Sequence, residues 1–402
     1  VKWLINALFI ACFFWQIPVV NAHEHHAEHG VSELAISLAT DSEGRIWQAR
    51  ARKGQVWVSS SADAGQHFSK DVAVNATPMK IAAEGEARPK IAVAPNGNIY
   101  LSWTESLKKP FAGYIWFARS VDGGKSFETP YIVHQDRAEI THRFDAMQVA
   151  ADDSITVAWV DKRDLLAAKA AGKPYDGAAI YYAVSTDHGK SFSPEKKLAD
   201  SSCECCRIAM TSKLDSTVAV LWRHVFSGSE RDHAMAEINR SESARPGRPG
   251  RPAIIRASYG RWKIDGCPHH GAALAVGEGF GYHLAYFDGA GNKPGLRLVR
   301  MDGQAWVTTP PRPIGDPKKN AGHPALLSMG DKVWLAWQER NSEGMDIFTM
   351  ASLDGGKTWG LPTLAAHTAG KLDYPQWLNT RGQALLAVNS TDKGLLVLPF
   401  NQ

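Results

Sequence analysis

SVDGGKSF, residues 120 to 127, has three relatives in the same chain: SADAGQHF (61–68), STDHGKSF (185–192) and SLDGGKTW (352–359). All fit Ser-x-Asp-x-Gly-x-x-aromatic. The chemistry is that of a turn closing a β-hairpin. The Asp carboxylate can take backbone N–H groups of the turn. The Gly can adopt the positive φ that closes it. The aromatic can then fold back into the sheet. Chance Asp-Gly turns would not share the Ser and aromatic positions.

Outward from each turn the same segments recur in the same order. An apolar segment comes first, such as PKIAVAP (89–95) or FDAMQVA (144–150). A Trp- or Tyr-bearing strand follows, as in GNIYLSWTE (97–105), SITVAWVDK (154–162) and DKVWLAWQE (331–339). A third strand, such as GYIWFARS (113–120) or AAIYYAVS (178–185), leads into the turn, and a short fourth strand ends the unit. Runs of this length, bounded by turn residues, read as strands. Units begin near Ser32, Ala87, Thr141, Cys203, Cys267, Gly322 and Asp373. A spacing of roughly 50–60 residues with four strands per unit indicates an all-β propeller of six or seven blades. The last unit, 373–400, has room for three strands only, leaving a place that the N-terminal segment could fill.

These turns resemble Asp-boxes, also called bacterial neuraminidase repeats, and the chain resembles the sialidase superfamily of propellers. The resemblance spans nearly all of the chain after its first residues. It implies a sialidase-like propeller in which Asp63, Asp122, Asp187 and Asp354 are structural. It is specific for fold and less so for activity.

Residues 1–22, VKWLINALFIACFFWQIPVVNA, read as a secretory signal with a small-residue cleavage pattern at Ala22. Gln16 and Pro18 interrupt the apolar run, which falls short of the about 20 residues of a full span. A lipoprotein at Cys12 would have a poor lead-in in Phe9-Ile10-Ala11. The expectation is export to the periplasm or beyond, a His-rich tail at 23–31 and one propeller domain at 32–402, with no membrane span in the mature protein. The formal net charge of +4 is small for 402 residues. With acids interspersed, it gives no reason to invoke nucleic acid. ARPGRPGRP (244–252) reads as a solvated loop.

In an up-and-down blade, the start of the first strand and the end of the second share one face of the ring, opposite the Asp-Gly turns. Aligned first strands give a column near the axis: Arg88, Arg143, Cys205, His270, His323 and Tyr374. Two chemistries compete for it. The sialidase resemblance implies an arginine clamp for a carboxylate, a Tyr nucleophile activated by a Glu, and an Asp acid/base. Arg88, Arg143 and Tyr374 would fill these roles, with Glu339 or Glu105 activating the Tyr and Asp161 or Asp145 as acid/base. The third arginine is open among Arg207, Arg223 and Arg340. The family's Phe/Tyr-Arg-Ile-Pro motif is missing, and ARPK (87–90) only echoes it. An enzyme of this kind would be a glycoside hydrolase acting on small acidic glycans.

The second chemistry is metal binding. CECC (203–206) and DGCPHHG (265–271) open consecutive units, gathering Cys203, Cys205, Cys206, Cys267, His269 and His270 at the mouth, with His323 one unit further on. Thiolate and imidazole suit copper, or less readily zinc. Cleavage after Ala22 would start the mature chain HEHHAEHG, in which the free amine of His23, the next two backbone amides and the His25 imidazole could hold copper(II) in a square plane. Four cysteines in an exported chain also allow disulfides. Cys203–Cys267 would leave Cys205 and Cys206 as a vicinal pair; alternatively, Cys205 or Cys206 would take Cys267. The favoured reading is a metal-binding propeller, the rival a sialidase-like hydrolase, and the third a glycan- or protein-binding propeller stapled by disulfides.

Overall fold

The structure, a computed structural model, describes residues 34–239, 252–264, 266, 268–291 and 293–400. The described strands form seven antiparallel sheets, six of four strands and a last one of three, each in simple chain order from the inside of the ring outward. The number of blades is therefore seven. The innermost strands are Ile36–Thr40, Lys90–Val93, His142–Val149, Ala209–Ser212, Ala273–Gly277, Gly322–Met329 and Gln376–Thr380. Each lies against the next around a closed circle, the last against the first.

Burial explains why the second strands carry the Trp and aliphatic runs. These strands are covered on both faces by neighbouring blades, so they need not alternate. Val218–Arg223 and Ile155–Asp161 are buried at every residue. The apolar clusters lie between blades: Trp159 packs with Tyr100 and Phe117 between blades 2 and 3, and Trp222 with Tyr182 and Ile180 between blades 3 and 4.

The contact between blades 7 and 1 is thinner and closes differently. Its buried apolar group is Ile46, Leu378, Leu385 and Ala387. Polar bonds complete it. Gln376 Nε2 donates to Ile36 O (3.0 Å), Leu38 N–H to Gln376 Oε1 (3.1 Å) and Thr40 Oγ1 to Asn379 O (2.7 Å). The strand Ile36–Thr40 belongs to blade 1, and among the described residues blade 7 keeps three strands. The leader 1–22 and the tail with His23 and His25 lie outside the described residues, as does Cys267. No helix among the described residues is long and apolar enough to cross a membrane.

The Ser-x-Asp-x-Gly turns share one geometry. In blade 2, Ser120 Oγ donates to Asp122 Oδ1 (2.8 Å) and accepts Gly124 N–H (2.9 Å). Asp122 also takes the Lys125 and Ser126 N–H groups and the Ser126 hydroxyl. The core of this arrangement repeats at Asp63, Asp187 and Asp354. The glycines do more than turn. A Cβ on Gly124 would lie 2.5 Å from Trp47, on Gly189 2.8 Å from Phe117 and on Gly65 2.7 Å from Val397. Each of those neighbours belongs to the preceding blade, so the turns fasten one blade onto the next.

Candidate functional site at the mouth of the ring

Register separates the two faces. In blade 3, His142 pairs with Asp161 at one end, while Val149, Ile155 and Ser185 line up at the other, where the Asp187 turn begins. The column Arg88, Arg143, Cys205, His270, His323 and Tyr374 thus lies opposite the turns. First strands are irregular there. The pairing of blades 3 and 6 shifts register near Phe144 and His323, which take φ of 55° and 50°. Positive φ at a non-glycine residue is strained and clusters at functional sites.

Four members of the column form a contact series. The Arg88 guanidinium sits 5.3 Å over the Tyr374 ring, Tyr374 stacks on His323 at 3.8 Å, and His323 lies 5.7 Å from His270. His270 in turn stacks on Phe287 at 4.1 Å. Beneath them is Glu86, which the sequence reading missed. Its side chain is buried, with Arg207 Nε at 3.4 Å and His323 Nδ1 at 3.7 Å. Gly271 N–H donates to it at 3.3 Å. Burial would raise the Glu86 pKa, but Arg207, His323 and Arg88 together bring it down to about 2. Burial, then His323 and Arg223, lower His270 to about 3, keeping it neutral. Burial, then Glu86, raise the Tyr374 hydroxyl above its ordinary value.

The sialidase assignments meet this geometry unevenly. Arg88 is fully engaged with Asp373 in a bidentate pair (2.6 and 2.6 Å), and also donates to Ile36 O and Gly85 O. Its fork is committed to ring closure. Arg143 pairs with Glu84 at 3.3 Å and lies over Phe144. Arg207 donates to Ala272 O and Pro324 O. Glu339 accepts the Trp337 indole N–H (2.9 Å) and Asp316 N–H (2.8 Å). Asp161 likewise accepts the Trp159 indole (2.9 Å) and binds Arg163. Both acids end second strands in Trp-x-acid, where the carboxylate holds the indole two residues back. The acid beside Tyr374 is Glu86. Asp145 holds the Ser102 and Thr104 hydroxyls.

CECC forms a separate group. Cys203, Cys205 and Cys206 are buried, with Phe144 packed against them. Their sulfurs lie within 4.8 Å of one another: Cys203 to Cys206 is 3.6 Å and Cys203 to Cys205 is 3.9 Å. No two of them are at the about 2.05 Å of a disulfide. First the hydrogen bond with Cys203, then burial, hold the Cys206 thiol above its ordinary value. Arg223 joins this group to the histidines. Its carbonyl accepts Cys203 N–H (2.9 Å), while Nη2 donates to His270 O and Phe287 O. Glu204, within the motif, pairs with Lys162 at the start of a short helix, Arg163–Ala170. Among the described residues the close group contains the three sulfurs alone; His270 and His323 stand beyond it. His269, at φ 49°, adjoins His270 in sequence.

No protein-family profile matches the chain, and no curated protein does. Solved structures do. A polysaccharide lyase, Uly1, superposes with a TM-score of 0.57 at 9% identity, over 93% of this chain and 91% of that one. A polysaccharide lyase described as PL25 ulvan lyase gives 0.50 at 12%, over 92% and 93%. The Hadza microbial sialidase Hz136 gives 0.50 at 15%, over 87% and 74%. At such identities the likeness is one of fold: the chain is a sialidase-like, seven-bladed β-propeller.

Proposed function

We propose that the protein is an exported metal-binding propeller in which Cys203, Cys205 and Cys206 hold a soft transition metal, copper(I) in preference to zinc. The carrying observation is the sulfur triangle. A metal–thiolate bond of about 2.3 Å separates sulfurs by about 3.8 Å in a tetrahedral site and about 4.0 Å in a trigonal one. The separations of 3.6 and 3.9 Å match that spacing. The thiols would release their protons on binding, as metal uptake by thiolate requires. Soft thiolates favour copper(I). The tail, with His23 and His25, would add a copper(II) site of its own.

The test is an anaerobic copper(I) competition titration on protein whose tail histidines are replaced. One ion should bind, and Cys205→Ser should weaken it by more than about a hundredfold, since each ligand carries a few kcal/mol of such sites. Absence of binding in the parent would refute the proposal.

A second reading has its own observation in Tyr374 beside the ionised Glu86, the residue types of a sialidase nucleophile pair. The solved structures named above include a sialidase and polysaccharide lyases, so an acidic glycan at the mouth is the corresponding substrate. Against turnover, Arg88, Arg143 and Arg207 are already paired with Asp373, Glu84 and Glu86. Sugar release from a sialoside reporter, abolished by Tyr374→Phe, would establish this reading over the first.

A further inference from the structure

On the turn face, one turn glycine meets a different kind of neighbour. Trp47, Phe117 and Val397 meet the other three, and all are apolar. A Cβ on Gly356 would instead lie 2.6 Å from His283. His283 is fully buried in blade 5, and among the described residues neither ring nitrogen has a hydrogen-bond partner. Two orphaned polar atoms in a buried ring are costly and call for a ligand or an ordered water.

His283 lines a cleft of about 320 Å³ between blades 5 and 6, at the small end of ligand sites. Arg300, Arg312 and Lys357 also line it, with the Thr309 hydroxyl, and among the described residues no carboxylate does. Among the described residues none of these three cations has an ion-pair partner, unlike Arg88, Arg143 and Arg207 at the mouth. Arg300 is preset. It lies opposite His283 on the neighbouring strand, its guanidinium sits 4.0 Å over the Phe280 ring, and its Nε is buried with no hydrogen-bond partner among the described residues. Phe280 meets His283 edge-on at 5.0 Å, fixing both groups on one aromatic platform. Thr309 Oγ1 accepts Arg300 N–H, which leaves its proton available to a ligand. Burial, then Arg300, lower His283 to about 4, so the imidazole is neutral and offers one N–H.

We propose that this cleft binds a tetrahedral oxyanion, a sulfate or phosphate group, either free or carried as an ester on a glycan. Convergent guanidinium, ammonium, imidazole and hydroxyl donors without a competing carboxylate are what such a group needs. The site is separate from the thiolates and independent of the metal reading.

The experiment uses full-length protein labelled with ¹⁵N-histidine, at physiological salt. Inorganic sulfate, inorganic phosphate and a sulfated disaccharide are titrated while the His283 ring nitrogens are followed. A saturable shift is expected with at least one of them. Arg300→Gln should weaken binding about tenfold, the loss of a hydrogen bond to a charged group. Arg312→Gln and Lys357→Gln change exposed residues without threatening the fold, and each should weaken binding by a smaller factor. Cys205→Ser should leave it unchanged. Tighter binding of the disaccharide would identify a glycan ester as the source, and tighter binding of either ion a free anion. No saturable shift with any of the three, or equal binding by all three charge variants and the parent, would overturn the proposal.

Discussion

The two faces of the ring use the same residue types to opposite ends. On the turn face, Asp63, Asp122, Asp187 and Asp354 each accept several short hydrogen bonds, and their glycines wedge against the preceding blade. On the mouth, three buried polar atoms have no hydrogen-bond partner among the described residues: Arg143 Nε, Arg223 Nε and His270 Nδ1. A completed polar network rigidifies, whereas an incomplete one is costly unless something else completes it. The turn face is therefore scaffold, apart from the cleft at His283, and the mouth is where a ligand would compensate.

The largest effect that bears on this contrast comes from a mouth residue that is scaffold after all. Arg88 and Asp373 are buried and paired bidentately across the seam where the ring closes. Asp373→Asn should cost about 3–5 kcal/mol, because it strands a buried guanidinium. Urea unfolding measures it. A loss below about 1 kcal/mol would mean that the seam is held by Gln376 and the apolar group alone.

Acid should act next most strongly, through blade 3. His134 and His142 stack at 4.1 Å, both buried. Burial, then His142, lower His134 to about 3. A histidine with a depressed folded pKa contributes stability that is complete above its unfolded value of about 6.5 and is lost as pH falls toward the folded value. Between pH 7 and pH 5 the loss should be about 2 kcal/mol, and His134→Gln should flatten that slope. An equal slope in parent and variant would place acid sensitivity elsewhere.

Asp122→Ala should cost about 1 kcal/mol, the size of a lost cap, with metal affinity unchanged. A selective loss of binding at full stability would break the division between the faces.

The repeated turns made the blades legible, because each is a local device whose Ser, Asp, Gly and aromatic lie within eight residues. The column of strand starts was legible for the same reason: His270, His323 and Tyr374 follow from aligning short apolar runs. Pairings between distant segments were not. Asp373 is the partner of Arg88 across the seam, and no spacing announces it. Glu86 reads as a loop acid until three blades converge on it. Asp161 and Glu339 looked like catalytic candidates at strand ends, yet the tryptophan two residues earlier, visible in the sequence, was the signal for their structural role. The helix Arg163–Ala170 was also missed, although DLLAAKA is built from strong helix formers. Cys267 and the tail histidines lie outside the described residues, so their expected part in metal binding rests on the sequence.

The central claim is that CECC is a metal-holding triangle. X-ray absorption at the copper edge, on protein loaded with one copper(I) and with the tail histidines replaced, tests it most directly. At least three sulfur scatterers are expected near the about 2.3 Å of metal–thiolate bonds, reduced by one in Cys206→Ser. A shell of nitrogen and oxygen alone would contradict it.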